Sequence, residues 1–280
     1  VYSGNGGVSQ LKAGLGMEIF RNFSIGVNYI YYLGTITRKF ETVIYPYITN
    51  DIYKQTAGEE SITVNQSGVE IGAQYQIGLK ENHDLILGLT YRPRIKTYSS
   101  TESIIQNISS GYAGTADSLQ YSKESQKIIL PTKIAAGIFY RGLKTNIGLD
   151  YSFENWENSF PDHTEKDITF TRQQDIRFGI QYTPNRYDLR KQLKRWSYRA
   201  GLHYGTSYVV KDDYRRNDYS FTFGVGVPVQ KKGFSELNVG VEFGINGIKS
   251  DTQIQNKYFK VVAGFSLFSD NEWFRQKRFD

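Results

Sequence analysis

Hydrophobic and polar residues alternate through most of the chain, and the pattern is clearest between Leu130 and Trp156. There, two runs in which every second residue is apolar or aromatic flank the short polar turn 141–144. The residues between them are small, polar or charged. A period of two residues is that of a β-strand, so the stretch predicts a β-hairpin with one apolar face and one polar face.

The same alternation recurs from Gln10 to Leu267 and predicts about eleven strands and no helix. The connections between these strands alternate in length. Short turns are predicted at 21–22, 81–84, 141–144 and 231–235, with 185–195 as the one long member of that series. Long loops are predicted at 41–61, 99–125, 155–166, 211–218 and 247–256. Outer-membrane barrels have short periplasmic turns opposite long extracellular loops.

Composition indicates which face points outward. The mean hydropathy of −0.49 resembles that of a soluble protein. No segment has the roughly 18 consecutive apolar residues of a membrane helix, so a membrane-spanning form requires a closed barrel. With 27 Gly in the chain, the polar face has too much glycine for a solvated exterior. Aromatic residues lie near strand ends, as in an interfacial girdle: Tyr29, Tyr31, Tyr91, Tyr140, Tyr182 and Tyr204.

These patterns together predict an all-β fold, a transmembrane antiparallel β-barrel of the bacterial outer membrane with its apolar face toward lipid. Charged residues on the polar face would then line the lumen and pair with one another. The candidate lumen network consists of Glu70, Arg92, Lys133, Asp150, Glu154, Asp175, Arg177, Arg199 and Glu242.

Other chemistry has little support in the sequence. The net charge of +6 is spread over turns and loops, which argues against nucleic-acid binding. Cysteine is absent, and the three histidines are not at ligand spacing, so neither a metal site nor a cofactor is expected. His203 is the only strand histidine. A lipase-like enzyme would need it to converge with a serine and an orienting group, so we expect no enzyme and a structural role for His203.

Several motifs, in order and spacing, resemble one family. The central hairpin has Leu130-Pro131, Gly137, Tyr140, Leu149-Asp150 and Trp156, and similar segments follow at 176–182, 196–204, 224–226 and 239–241. From about Gly68 to Phe268 the chain resembles the outer-membrane transporters of long-chain fatty acids and aromatic hydrocarbons, the FadL/TodX type. The tail 273–280 runs past the last strand and departs from that pattern, as in a divergent member.

The resemblance implies a fourteen-strand barrel plugged by an N-terminal hatch, with ligands caught outside and released sideways into the membrane. Residues 1–280 would be one barrel domain, the C-terminal part of the barrel, with the hatch and first strands not in this sequence. The family's ligand groove would fall between loops 41–61 and 99–125. Its candidate residues are Ile44, Tyr45, Tyr47, Ile104, Ile105 and Tyr112. Alternatively, these side chains pack on each other and order the loops.

The first functional hypothesis is an outer-membrane channel for passive uptake of small hydrophobic molecules such as fatty acids or hydrocarbons, with membrane lipids and these molecules as its partners. The alternative is a FadL-type barrel that serves as a scaffold, a protein-binding subunit of a surface or secretion assembly, whose partners are other outer-membrane or surface proteins. Transport requires a continuous apolar path from the outer loops to the barrel wall, whereas a scaffold tolerates an obstructed polar lumen.

Overall fold

Antiparallel pairing joins fourteen strands into one sheet. The computed structural model describes residues 2–42, 54–109, 116–161, 167–188, 190–229, 235–247 and 255–266. The strands are β1 Tyr2–Phe20, β2 Phe23–Glu41, β3 Lys54–Lys80, β4 His83–Arg92, β5 Ile95–Ser109, β6 Ala116–Leu130, β7 Lys133–Arg141, β8 Thr145–Asn155, β9 Ile168–Phe170, β10 Arg172–Tyr182, β11 Ser197–Lys211, β12 Tyr214–Pro228, β13 Glu236–Asn246 and β14 Asn256–Ser266. A 3₁₀ helix, Gln192–Arg195, precedes β11. Within the described residues, no helix is both long and apolar enough to cross a bilayer.

The barrel wall consists of eleven strands, as the sequence predicts. Eleven strands follow one another along the sheet from β1 to β14, and β5, β6 and β9 lie off this path. These three continue β4, β7 and β10 across short interruptions, two of which contain Pro93 and Pro131. Proline has no N–H for the ladder, so an interruption forms at these positions.

The register keeps the two faces separate around the wall. Gly148 lies opposite Gly179, which in turn lies opposite Gly201. In the adjacent pairs of the register, Phe178 lies opposite both Leu149 and Leu202. These apolar side chains are exposed on the face opposite to the glycines. The predicted alternation of an apolar and a polar face is therefore confirmed, with the apolar band on the outside of the wall.

Aromatic residues border the apolar band at both ends. Toward the end with the longer connections, Tyr151 lies opposite Ile176, and Tyr204 lies opposite both Ile176 and Tyr219. At the other end Tyr182 lies opposite Tyr198. Two aromatic rows on either side of an apolar band are typical of the two lipid interfaces.

Strands β1, β2 and β3 rise well beyond the membrane, and there β5 pairs with β3 and with β6. In this region the loop predictions are wrong. A tilted strand of about 9–11 residues spans a bilayer, whereas β2 has 19 residues and β3 has 27. The predicted loop 41–61 is strand from Lys54 onward, and most of the predicted loop 99–125 belongs to β5 and β6. We call residues 33–41, 54–66 and strands β5 and β6 the outer sheet.

The outer sheet lacks the hydrophobic alternation because polar cross-strand pairs stabilise it. The Thr35 and Thr63 hydroxyls are 3.1 Å apart. Lys39 and Glu59 form an ion pair at 2.9 Å, and Lys123 and Glu102 form another at 2.7 Å. Such pairs stabilise a sheet in water without burial of a face. A strand of this kind does not have an apolar residue at every second position, so its sequence resembles that of a loop.

The predicted long loop 211–218 is also wrong. Residues 212 and 213 form a two-residue turn between β11 and β12. Asp212 and Asp213 have φ values of 52° and 65°, the left-handed conformation that both central residues of a type I′ hairpin turn require. Asp tolerates this conformation better than most residues do, so a carboxylate-rich segment folds as a tight hairpin.

Candidate functional site in the lumen

The polar face of the wall lines an open lumen cavity of about 730 Å³. Strands β1–β4, β7, β8 and β10 contribute to its lining. Glycines account for much of the surface, including Gly26, Gly88 and Gly137, and the side chains of Ile86 and Phe139 add apolar area. The cavity lining therefore combines small, apolar and charged groups.

Glycines on the polar face leave room for long side chains of neighbouring strands. The Phe139 ring lies over Gly148, at 3.2 Å from where a Cβ would stand. A Cβ on Gly226 would lie 2.8 Å from a Glu236 carboxylate oxygen and 3.2 Å from Arg199 Nη1. Large side chains can thus lie flat along the wall, and the lumen keeps its width. This explains the abundance of glycine on the polar face.

Above the cavity the lumen contains a buried apolar cluster. Ile30 and Tyr32 of β2 are 0% and 4% exposed, and Ile95 of β5 is 8% exposed, although all three lie in a chain whose apolar residues mostly face outward. Leu130 packs against them. A Cβ on Gly68 would lie 2.3 Å from Ile95 Cδ1, so Gly68 makes the space in which Ile95 lies.

Buried charges adjoin this cluster. Arg92 Nη1 donates a hydrogen bond to the Tyr32 hydroxyl at 2.9 Å, and Arg92 Nη2 lies 3.4 Å from Glu154 Oε2. Lys133 Nζ lies 2.9 Å from Glu154 Oε1. Arg92 and Glu154 are 8% and 9% exposed. We call Ile30, Tyr32, Ile95, Leu130, Arg92 and Glu154 the lumen plug.

Two cations, Arg92 and Lys133, contact the single carboxylate of Glu154 in and beside the lumen plug. The Arg92 Nε atom is buried and has no hydrogen-bond partner among the described residues. An unpartnered buried donor is costly, so this guanidinium depends on Glu154 for compensation. Lys133 also lines the cavity, which links the plug to the space below.

The other predicted lumen residues form separate groups instead of one network. Each group spans two to four neighbouring strands and has its own partners. The contacts are Glu70 with Lys12 at 3.5 Å and Asn28 at 3.4 Å, Asp175 with His203 at 3.1 Å, Arg199 with Glu236 at 2.8 Å and Gln181 at 2.9 Å, and Glu242 with Tyr258 at 3.0 Å. Asp150 and Arg177 lie opposite each other in the β8–β10 register and both line the cavity.

Most of the predicted ligand residues lie outside the part of the chain that the structure describes. Ile44, Tyr45, Tyr47 and Tyr112 lie outside the described residues. Ile104 and Ile105 are consecutive in β5, so their side chains point to opposite faces of the outer sheet. Ile104 borders a small cavity of about 260 Å³ between β2, β3 and β5. Their role in ligand contact stays a prediction.

Sequence reasoning missed Ile30, Tyr32 and Ile95. One signal was available: Ile30 and Tyr32 continue the polar-face parity of Asn28, so two large apolar residues stand where the pattern requires polar or small ones. Such an exception on a lumen face indicates packing inside the barrel. Glu236, which accepts from Ser197 and pairs with two arginines, was also missed.

The one histidine in the predicted lumen face, His203, has a contact that fixes its side chain in place. His203 Nε2 lies 3.1 Å from Asp175 Oδ1, and the other oxygen of Asp175 accepts from Gln173 Nε2 at 3.3 Å. Both contacts run along the wall, where they fix the side chains. In the described part of the chain, no three His, Cys, Asp or Glu side chains are grouped as ligands for a metal ion.

The fold of the chain is that of the FadL-type β-barrels. Two solved structures resemble it. A FadL homologue from Pseudomonas aeruginosa has a TM-score of 0.61 with 13% sequence identity over 88% of this chain. The CymD monoaromatic hydrocarbon channel has a TM-score of 0.62 with 11% identity over 95% of this chain. The chain spans 61% of the first structure and 74% of the second.

The family itself is identified from the sequence. The BamG family model matches residues 1–280, so the chain belongs to the BamG family. A comparison with curated proteins finds no match. The predicted fold class, the resemblance to FadL-type barrels and the location in the bacterial outer membrane are confirmed by these relationships.

Proposed function

We propose that the protein is a passive outer-membrane channel for small hydrophobic molecules, with the lumen cavity as a binding station. The supporting observation is the cavity itself. Its volume of about 730 Å³ lies within the roughly 300–1,000 Å³ of small-molecule sites. Ile86 and Phe139 supply apolar contact, and Lys133 and Asp150 supply a few polar groups. The similarity in fold to CymD, a monoaromatic hydrocarbon channel, is consistent with this class of ligand.

The lumen plug determines how such a molecule moves. Ile30, Tyr32 and Ile95 are buried above the cavity, so a ligand that arrives from the outer loops has to displace these side chains. Arg92 and Glu154 hold the plug to β4 and β8 by an ion pair. The channel we propose is therefore closed at rest, and it opens only as far as the plug side chains move.

The test is a substitution that fills the cavity without a clash with neighbouring side chains. Gly88 lines the cavity, and nothing lies within 4 Å of the Cβ that a substitution would add. In the full-length protein, Gly88→Phe should reduce uptake of a labelled monoaromatic hydrocarbon or fatty acid about tenfold or more, because the ring occupies ligand volume. Cells that express each variant at equal level in the outer membrane provide the measurement.

Gly179→Phe is the matched control. Gly179 faces the lumen from β10, has equally open space around its Cβ, and is not among the residues that line the cavity. Uptake should remain near the unmodified level in this variant. Unchanged uptake with Gly88→Phe would contradict the channel. The outer-loop candidates are tested in the same assay by Ile44→Asp combined with Ile105→Asp.

A second candidate function is a protein-binding subunit, and the outer sheet favours it. Among the described residues, strand β6 pairs with no strand other than β5. Its other edge bonds to the Ser159 carbonyl through the Ile129 N–H at 2.8 Å, and no described strand lies along the rest of that edge. Free edges of this kind accept an added strand from a partner. Purification from the native membrane in mild detergent, followed by a density map, separates the two functions. Elongated density in the lumen supports the channel, and a polypeptide along β6 with an empty lumen supports the scaffold.

A further inference from the structure

The turn between β10 and β11 combines positive charge with exposed apolar side chains. Between Asn185 and Arg195 the sequence has five basic residues and one acidic residue. Tyr187 is 75% exposed and Leu193 is 60% exposed. Exposed apolar side chains among Lys and Arg are typical of segments that lie in the interface of an anionic bilayer.

The backbone of this turn is well fixed by its own hydrogen bonds. Asp188 Oδ1 accepts from the backbone N–H groups of Arg190 and Lys191, each at 2.8 Å. These two bonds hold the pKa of the Asp188 carboxyl below its ordinary value. The Asn185 N–H donates to the Lys194 carbonyl at 2.8 Å. The cations therefore project from a defined scaffold.

The contacts of the turn place its 3₁₀ helix beside the lipid. The Tyr198 hydroxyl donates to the Leu193 carbonyl at 3.0 Å. Tyr198 lies opposite Tyr182 on the apolar, lipid-facing side of the wall. Arg186, in contrast, reaches Glu236 on the lumen face at 3.1 Å. The turn thus straddles the rim of the barrel, with Leu193 on the lipid side.

The neighbouring turn adds to the same surface. The Thr183 N–H donates to the Lys144 carbonyl at 2.8 Å, which joins the two turns. Leu143 is 68% exposed, and Lys144 beside it is exposed as well. Both turns belong to the side with the short connections, which is the periplasmic side of outer-membrane barrels. We call Leu143, Lys144, Arg190, Lys191, Leu193 and Lys194 the basic rim.

We propose that the basic rim binds the phosphodiester headgroups of anionic phospholipids, such as phosphatidylglycerol, in the periplasmic leaflet. Arg190, Lys191 and Lys194 are exposed and reach the headgroup level, while Leu143 and Leu193 enter the acyl boundary. Within the turn, the acid Asp188 is occupied by backbone donors and by Lys194 at 3.7 Å. An acidic protein is the less suitable partner, because the helix lies over the lipid-facing side of the wall. The proposal does not depend on what the lumen carries.

Trp196 provides a reporter, since it directly follows the 3₁₀ helix. Residues 1–280 contain three Trp, so Trp156→Phe with Trp273→Phe leaves Trp196 as their single indole, and any Trp that the full-length protein has outside these residues is also replaced by Phe. The full-length protein is placed in phosphatidylcholine vesicles that contain a small fraction of brominated phosphatidylglycerol or, separately, of brominated phosphatidylcholine. Bromine quenches indole fluorescence at short range. At low salt each cation favours the anionic lipid by about fivefold, so brominated phosphatidylglycerol should quench Trp196 more strongly.

The test variant is Arg190→Gln with Lys191→Gln and Lys194→Gln, and it should lose most of the difference between the two lipids. The matched control removes three cations from the outer sheet instead, by Arg38→Gln, Lys39→Gln and Lys123→Gln, and should keep the difference. Added salt should weaken the preference in the unmodified protein. Leu193→Asn should reduce quenching by both lipids alike.

Three outcomes would overturn the proposal. The first is equal quenching by the two brominated lipids in the unmodified protein. The second is a preference that survives in the triple Gln variant of the turn. The third is an acidic polypeptide that co-purifies with the unmodified protein and is lost from that variant while the lipid preference is unchanged, since this result would assign the basic rim to a protein partner.

Discussion

Glu154→Gln tests the energetics of the lumen plug. Glu154 is 9% exposed and its two oxygens face Arg92 at 3.4 Å and Lys133 at 2.9 Å. Glutamine has nearly the same shape but no charge. Arg92, which is 8% exposed and already has a buried Nε without a partner among the described residues, would keep its charge without compensation.

The size of the effect follows from burial. Removal of one partner from a buried ion pair costs about 3–5 kcal/mol. The lower end applies here because the Lys133 side chain is 33% exposed and water can solvate it. We expect a loss of about 3 kcal/mol in the free energy of unfolding, which is about a hundredfold in the folding equilibrium.

Denaturant unfolding of the full-length barrel in lipid vesicles, followed by tryptophan fluorescence, measures this loss. Glu59→Gln is the matched control: its ion pair with Lys39 has the same chemistry, but both side chains are more than two-fifths exposed. The control should cost less than about 1 kcal/mol. Equal costs for the two variants would refute the reasoning from burial. Arg92→Met combined with Glu154→Leu should recover most of the stability, because the buried Arg92 charge is removed and Lys133, which is 33% exposed, can be solvated by water.

Two further predictions concern a glycine of the wall and the periplasmic turn. Gly226→Val should separate Arg199 from Glu236 and lower the free energy of unfolding by about 2 kcal/mol in the same assay. Gly264→Val is the control and should have little effect, because a Cβ at Gly264 meets open space. Equal costs for the two variants would contradict the role of Gly226 as space for the ion pair. Asp188→Asn should lower stability at neutral pH. The pKa of Asp188 is held below its ordinary value in the fold. The difference in stability between the variant and the unmodified protein should therefore be present above about pH 5 and disappear as pH falls through that lowered pKa. A difference in stability that remains below that pKa would contradict the proposed contribution of the carboxylate.

The membrane-spanning part of the fold was predictable because lipid imposes a strict rule. Every second side chain of a lipid-exposed strand has to be apolar, so Leu149, Phe178 and Leu202 mark one continuous face, and Gly148 with Gly201 marks the other. The strand count follows from the same rule. Above the membrane the rule no longer applies, and strands such as β5, in which both faces carry polar residues, look like loops in the sequence.

The candidate site was predictable only in part. The sequence shows that Arg92, Glu154 and Lys133 share the polar face, because parity along a strand is a local property. It does not show which charges meet. Arg92 and Glu154 lie on strands separated by β7, and their contact depends on the register of three strands and on the reach of both side chains.

The sequence by itself determined the eleven-strand wall, the orientation of its two faces and the aromatic rows, since each of these follows from residue order along single strands and from the demands of lipid. The tertiary structure alone decided that Ile30 and Tyr32 are buried against Ile95, that Gly226 makes room for the Arg199–Glu236 pair, and that the Leu193 carbonyl accepts from the Tyr198 hydroxyl. The first two of these features join residues far apart in the chain, and only the register and curvature of the sheet set the distances between them.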